Sequence, residues 1–320
     1  MIRVLIGVLA ALAAIASNAS FAQYPTRPIT LVVPFTPGTG IDILARSLGP
    51  RLGERWGQGV AVENKAGASS VIGTDFVARA NPDGYTLLVT ATSFTITPAL
   101  NRKLPYDVEK SFAPVSQLAS GISALLVSTQ TPASNVAELV ALARSKPGAL
   151  NYGSPGIGTG PHLAMELFKL EAGVDMAHIP YKGSAGSFVD LVGGRLNAMF
   201  QPIHASLPYL QQGKVRMLAI LAPERSSVVP NVPTMKEAGY PNVQLENWYG
   251  LFAPAATPRD VVTRLNGEIN TQLATPAMKE ELAKQGLNPA GGPPSQLAEL
   301  VRSELGRWMR VVTTAKIQPE

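Results

Sequence analysis

The chain of 320 residues contains no cysteine. That excludes disulfides, thiolate metal sites and attachment of a lipid to a cysteine behind an export signal. Its three histidines, His162, His178 and His204, stand at no metal-ligand spacing and in no HExxH motif, so neither a metal nor any other cofactor is expected. Only 15% of residues are charged, and lysine and arginine form no cluster interleaved with aromatics, which argues against nucleic acid as a partner. The formal net charge of +5, one unit of it on Arg3, is a mild field that draws anionic solutes. Apolar runs of the roughly 20 residues that span a bilayer are missing as well.

The one sizeable apolar run stands at the start. Arg3 precedes Val4 to Ala16, and the stretch closes on Ser20-Phe21-Ala22, with small residues three and one before a cleavage point. Residues 1–22 therefore predict an export signal cleaved near Ala22 and a mature protein soluble in the periplasm. Residues 23–320 suffice for two domains of ordinary size. With 29 glycines, 27 prolines and 46% hydrophobic residues, the composition suits many short turns between strands and helices rather than disorder.

Short β-rich runs alternate with helical patterns, which predicts an α/β fold with largely parallel sheets. Strands are expected over Ile29 to Pro34, Val60 to Asn64 and Tyr85 to Thr90, with helices over Ile41 to Trp56 and Ser70 to Ala80 between them. A second group of strands begins near Ala124 to Ser128 and continues with Leu150 to Gly153, Ala177 to Tyr181, Ala198 to Gln201 and Met217 to Leu221. Its helices are expected over Pro161 to Ala172, Ser184 to Val192 and Ala205 to Gln212. After the run Trp248 to Ala253 the pattern is helical, too poor in strands for a third domain, so the chain returns to the first lobe. The expected lobes are 23–123 plus about 250–320, and 124–249, with the second crossover between about 222 and 250. Two crossovers make a hinge over a cleft.

Two glycine-rich loops carry the functional reading. Pro34 to Gly40 joins the first strand to the first long helix, and Gly153 to His162 repeats that placement in the second lobe. Glycine lets backbone approach a ligand, and a helix start offers unpaired N–H groups with about half a positive charge. The spacing is not a dinucleotide fingerprint, and no lysine makes a phosphate loop. Facing each other at the carboxyl ends of their sheets, the loops would grip one anion. Four or five such donors, each contributing about 1.5–3 kcal/mol, hold a small carboxylate near micromolar affinity without a buried arginine. Asp42 suits the helix dipole as a local cap more than as a ligand contact. His162, on the first helical turn, orients the loop or makes an ordinary helix-end bond. Lys182, after Tyr181, meets a carboxylate or stays in solvent.

The ordered series PFTPGTGIDILAR (34–46), ENKAGASSVIGT (63–74), NPDGYTLL (81–88), KPGALNYGSPGIGTGPHLAMELF (146–168), IPYKGSAG (179–186), NVPTMKEAGYP (231–241) and WYGLFAP (248–254) resembles one family across the whole mature chain. It is similar to the solute-binding receptors of tripartite tricarboxylate transporters, also called Bug-type receptors. The resemblance implies a type II periplasmic-binding-protein fold, two α/β lobes joined by two crossovers and closing on a carboxylated solute. It also implies membrane permease subunits as partners, and a monomer. By motif it points to Phe35, Thr36, Pro37, Gly38, Thr39, Asp42, Ala68 and Ser69 as ligand residues of the first lobe. Ser154, Gly158, Thr159 and His162 follow in the second, with Tyr181, Lys182 and Gln201 at rim or floor. Two positions depart from the family pattern: Thr39 stands where relatives often have a second glycine, and Gln201 stands near an acidic residue of relatives that take amino acids.

Two rival readings are a periplasmic sensor that passes occupancy to a signalling partner, and a secreted hydrolase. The hydrolase needs Ser154 activated by His162 with an acid behind it, but Tyr152 breaks the nucleophile-elbow pattern. No enzymatic step is expected.

Overall fold

The computed structural model describes residues 24–100, 103–314 and 317, so the export segment and its cleavage point lie outside the described residues. Strands β1 (Ile29–Val33), β2 (Val60–Asn64), β3 (Thr86–Ala91) and β4 (Phe112–Gly121) open a first sheet. Strands β5 (Ser123–Ser128), β6 (Asn151–Ser154), β7 (Ala177–Pro180), β8 (Ala198–Pro202) and β9 (Val215–Leu221) make a second. The chain then returns, and β10 (Asn247–Pro254) and β11 (Leu287–Gly291) complete the first sheet in the order β11-β4-β10-β3-β1-β2; the second reads β7-β6-β8-β5-β9. Both share one plan. Three strands pair in parallel in the order second, first, third; beside them lies a strand inserted from across the crossover, and then a fourth.

The inserted strands correct the expectation of largely parallel sheets. β10 runs antiparallel to β3 and β4, β11 to β4, and β5 to β8 and β9. β4 passes into β5 through Ile122 alone, so the first crossover is a single residue. The return crossover is segment 222–246, and β10 already pairs with β4 at Asn247.

β1 is buried along nearly its whole length, as a central strand covered on both faces must be, whereas β2 alternates half-buried and exposed residues at the sheet edge. Helix α1 (Gly40–Trp56) buries Ile41, Leu44, Ala45, Leu48 and Leu52 at helical spacing and ends on Gly57, whose φ of 63° is the left-handed stop that glycine allows. Helices α2 (Val71–Ala78), α3 (Ser93–Leu100), α4 (Val136–Ser145), α5 (Gly160–Ala172), α6 (Ser184–Val192) and α7 (Ile203–Gln211) follow. Helices α8 (Arg259–Ala274), α9 (Pro276–Lys284) and α10 (Pro294–Thr314) close the chain. Two of these cross between bodies. Ile96 and Leu100 of α3, and Trp308 and Val312 near the end of α10, are buried in the core of the five-stranded sheet together with Leu163 and Phe200. The C-terminal helix therefore ties the two bodies rather than packing on the first alone.

Candidate functional site

The two glycine loops share one plan. In each, a Gly-Thr-Gly triplet leads into a helix: Gly38-Thr39-Gly40 into α1 and Gly158-Thr159-Gly160 into α5. The first glycine takes a left-handed φ, 80° and 75°, which permits the sharp entry. Its N–H donates to the side chain four residues on, Gly38 to Asp42 Oδ2 at 2.9 Å and Gly158 to His162 Nδ1 at 3.3 Å. The threonine hydroxyl donates to the carbonyl three residues back, Thr39 to Thr36 at 3.1 Å and Thr159 to Gly156 at 2.7 Å. Neither threonine caps its helix through the side chain, and the first helical bonds run from Ile43 to the Thr39 carbonyl and from Leu163 to the Thr159 carbonyl. The N–H groups of Gly40, Ile41, Gly160 and His162 are thus without helical partners.

Asp42 and His162 brace these loops from behind. The Asp42 carboxylate also accepts from Arg46 Nε at 3.0 Å and Asn64 Nδ2 at 2.9 Å, and Asn64 donates to the Phe35 carbonyl. Burial alone would raise its pKa, but the bonds from Arg46, Gly38 and Asn64 hold it below the ordinary carboxylate range. The His162 ring stacks on His178 at 4.3 Å, and His178 on Tyr152 at 4.7 Å. The Tyr152 hydroxyl donates to Glu166, which Lys169 also meets.

Burial pushes the His162 ring down from 6.5 to about 4, with Lys169 adding to the shift, and pushes His178 to about 3, with His162 adding. Between pH 6.5 and about 4 the unfolded state therefore binds protons that the folded state refuses. Stability should be full above about pH 6.5 and fall as the pH drops toward 4, before the carboxylates titrate. A melting temperature followed over that range checks this; His178→Phe, which keeps an aromatic in the stack, should flatten the slope, and a wild-type profile flat down to pH 4.5 would contradict it.

Between the two bodies lies a cavity of ≈ 70 Å³. Five helix starts converge on it: Thr39 and Gly40 of α1, Ser93 of α3, Thr159 and Gly160 of α5, Ser184 of α6, and His204 of α7. No Asp, Glu, Lys or Arg lines it, so its field is that of the helix ends, positive and suited to an anion. A second cavity of ≈ 610 Å³ lies at the crossovers, around Ile122, Ala222 and Leu245, and shares no residue with the first. Of its cations, Arg225 and Arg307 are paired with Glu237 and Glu304, and Lys236 lines it as well.

Of the residues singled out in the sequence, Phe35, Thr39 and Thr159 line the cleft cavity. Thr36 stands outside that wall but reaches the other body: its hydroxyl stands 2.5 Å from where a Cβ on Gly183 would be. Pro37 and Gly38 are exposed at the loop tip. Ala68 and Ser69 belong to a run with Ser70 at φ 44°, 52° and 84°, a left-handed turn beside the cleft and outside the cavity wall. Asp42, Gly158 and His162 stand behind the wall.

Ser154 is fully buried, donates to the Gly156 carbonyl and meets His178 Nε2 at 2.7 Å, so its partner is His178 and not His162. The Tyr181 hydroxyl donates to Asp190, and Lys182 is exposed. Gln201 is buried and bonded to Ser184 and Ser187, where it orients Ser184 rather than facing the cavity. Besides Thr92 and Ser184, four polar wall residues went unread as site residues in the sequence: Ser93, His204, Asn247 and Tyr249. The repeated Gly-Thr-Gly triplet was the legible sign of the paired loops; nothing comparable marks these four.

A family model described as "Tripartite tricarboxylate transporter family receptor" matches residues 44–317. The protein BugT of Bordetella pertussis is 38% identical over 318 residues, 98% of this chain and 98% of its own length. Among solved structures, Rpa4515 of R. palustris with adipate superposes with a TM-score of 0.90 at 37% identity, covering 93% of this chain and all of its own. MatC from Rhodopseudomonas palustris with bound malate gives 0.86 at 34% identity, covering 90% of this chain and 100% of its own. The architecture is the two-lobed, two-crossover arrangement of type II periplasmic binding proteins.

Proposed function

The chain belongs to the family of tripartite tricarboxylate transporter receptors, and on that footing we propose that it is a periplasmic solute-binding protein that captures a small carboxylate between its lobes for an uptake system of that type. The observation that carries this reading is the convergence of five helix starts on one cavity without charged side chains. Main-chain N–H groups and helix dipoles hold an anion there without a counter-charge to desolvate. The moving bodies are 23–123 with about 250–320, and 124–249, hinged at Ile122 and segment 222–246, with α3 and the end of α10 seated in the core of the second body. The signal is removed near Ala22, the mature monomer is soluble in the periplasm, and membrane permease subunits receive the solute. No bond of the solute is broken; receptors of this family bind and release.

A thermal-shift screen of mono-, di- and tricarboxylates, aromatic acids and amino acids, followed by calorimetry on the acids that raise the melting temperature, tests the proposal. At least one carboxylate should bind near micromolar affinity, about −8 kcal/mol, with no ester or amide turnover; a melting temperature that no acid moves would refute it. Thr159→Pro should abolish the shift while the protein stays folded. The Thr159 N–H donates to the Gly156 carbonyl rather than into the cleft, so the loss comes from the opened turn and the missing hydroxyl. Unchanged affinity in that variant would remove the second loop from the site.

A further inference from the structure

The solute's first carboxylate, on the reading above, belongs to the paired Gly-Thr-Gly loops, and this leaves the wall beside them without an assigned task. There the starts of α3 and α7 bring together two side chains from different bodies. Ser93 is 4% exposed and His204 8%, and neither the Ser93 hydroxyl nor either ring nitrogen of His204 has a hydrogen-bond partner. Unsatisfied buried polar atoms are expensive, at about 1–3 kcal/mol each. Two such residues on one wall indicate that the wall meets something polar.

The Tyr249 hydroxyl joins them. A methyl group added at Gly40 would lie 3.1 Å from that hydroxyl and would overlap His204 Nε2, and the two rings stand edge to face at 6.4 Å. Burial keeps the His204 ring neutral, with its pKa pushed down to about 4. Serine, tyrosine and neutral imidazole all supply a donor, and the helix starts add more. No carboxylate lines the wall, so an ammonium group finds no counter-charge there.

We propose that Ser93, His204 and Tyr249 form a second subsite that selects solutes carrying an additional hydrogen-bond-accepting oxygen away from the first carboxylate. The inference rests on the carboxylate reading and deepens it: a plain monocarboxylate would leave the subsite unmatched, and an amino acid would place a cation against positive helix ends.

The test uses the mature protein and sets of equal chain length: butyrate, 4-hydroxybutyrate and succinate; hexanoate, 6-hydroxyhexanoate and adipate. Calorimetry should show the acid with the second oxygen binding more tightly than its plain partner in at least one set, by about 30-fold. The hydroxy and dicarboxylate arms tell which oxygen the subsite prefers. His204→Leu and Ser93→Ala, the latter removing one atom, should collapse that ratio toward one, whatever either does to the affinity for the plain acids; His204→Gln should restore part of it.

Equal binding of plain and second-oxygen acids by the wild type overturns the subsite and leaves carboxylate capture standing. A ratio that survives both His204→Leu and Ser93→Ala overturns it as well. If the wild type binds none of these six acids and none of the wider screen, the parent reading falls and this one with it; binding only of acids without a second acceptor oxygen overturns this one alone.

Discussion

Gly40→Ala is expected to weaken solute binding about 10- to 100-fold while leaving the folded protein as stable as before or slightly more so. Gly40 is the first residue of α1, and its backbone has no need of glycine's freedom, since its φ is not in the left-handed region. Within a helix alanine is favoured over glycine by up to about 1 kcal/mol. What forbids the methyl group is chiefly His204, across the cleft: a Cβ here overlaps its Nε2, and it also comes within 3.1 Å of the Tyr249 hydroxyl on its own side. Either the lobes remain parted or His204 leaves its place, and both outcomes deny the solute its enclosure. Calorimetry gives the affinity, and small-angle scattering should show no compaction of the variant on addition of solute. The double variant Gly40→Ala/His204→Ala should regain most of the affinity for plain monocarboxylates, because the overlap is gone. If Gly40→Ala binds like the wild type, this contact is not part of the ligand-holding state.

Trp308→Ala should lower the stability of the whole chain by about 3–5 kcal/mol, the range for removing a large buried aromatic. Trp308 is fully buried although it comes from the last helix, where sequence position alone suggests fraying. It sits in the core of the five-stranded sheet, and its indole N–H donates to Glu304 Oε2 at 2.6 Å. Glu304 is itself buried and meets Arg307 at 3.2 Å, so the substitution adds a partly unpaired carboxylate to the cavity it leaves. Urea unfolding would measure the loss; a change under about 1 kcal/mol would mean that the end of α10 does not hold the two bodies together. Trp308→Phe, which keeps much of the volume but not the N–H, should fall between.

Much of the fold was readable from local pattern. The helical spacing of Ile41, Leu44, Leu48 and Leu52, the unbroken apolar run of β1 and the glycines at each strand-to-helix turn are properties of neighbours in the chain, and the elements lie where those signals placed them. α3, β4 and β11 escaped that reading, and for α3 and β11 the local chemistry points elsewhere. SFTITPAL is rich in β-branched residues with a proline inside, and LNPAG is barely a strand until β4 pairs with it. In the same way, "largely parallel" followed from βα alternation, whereas antiparallel β5 and β10 are consequences of crossing the hinge.

The sequence by itself determined that two glycine loops start two helices with bare N–H groups, because such a turn depends on a few adjacent residues and their φ preferences. Which side chains complete the pocket was decided only by the tertiary structure. Ser93, His204 and Tyr249 begin or lie on separate elements and share a wall because the two crossovers press one body onto the other. The same packing turned Asp42 and His162 inward as braces, since a side chain four residues past a left-handed glycine meets that glycine's N–H before it can meet a solute.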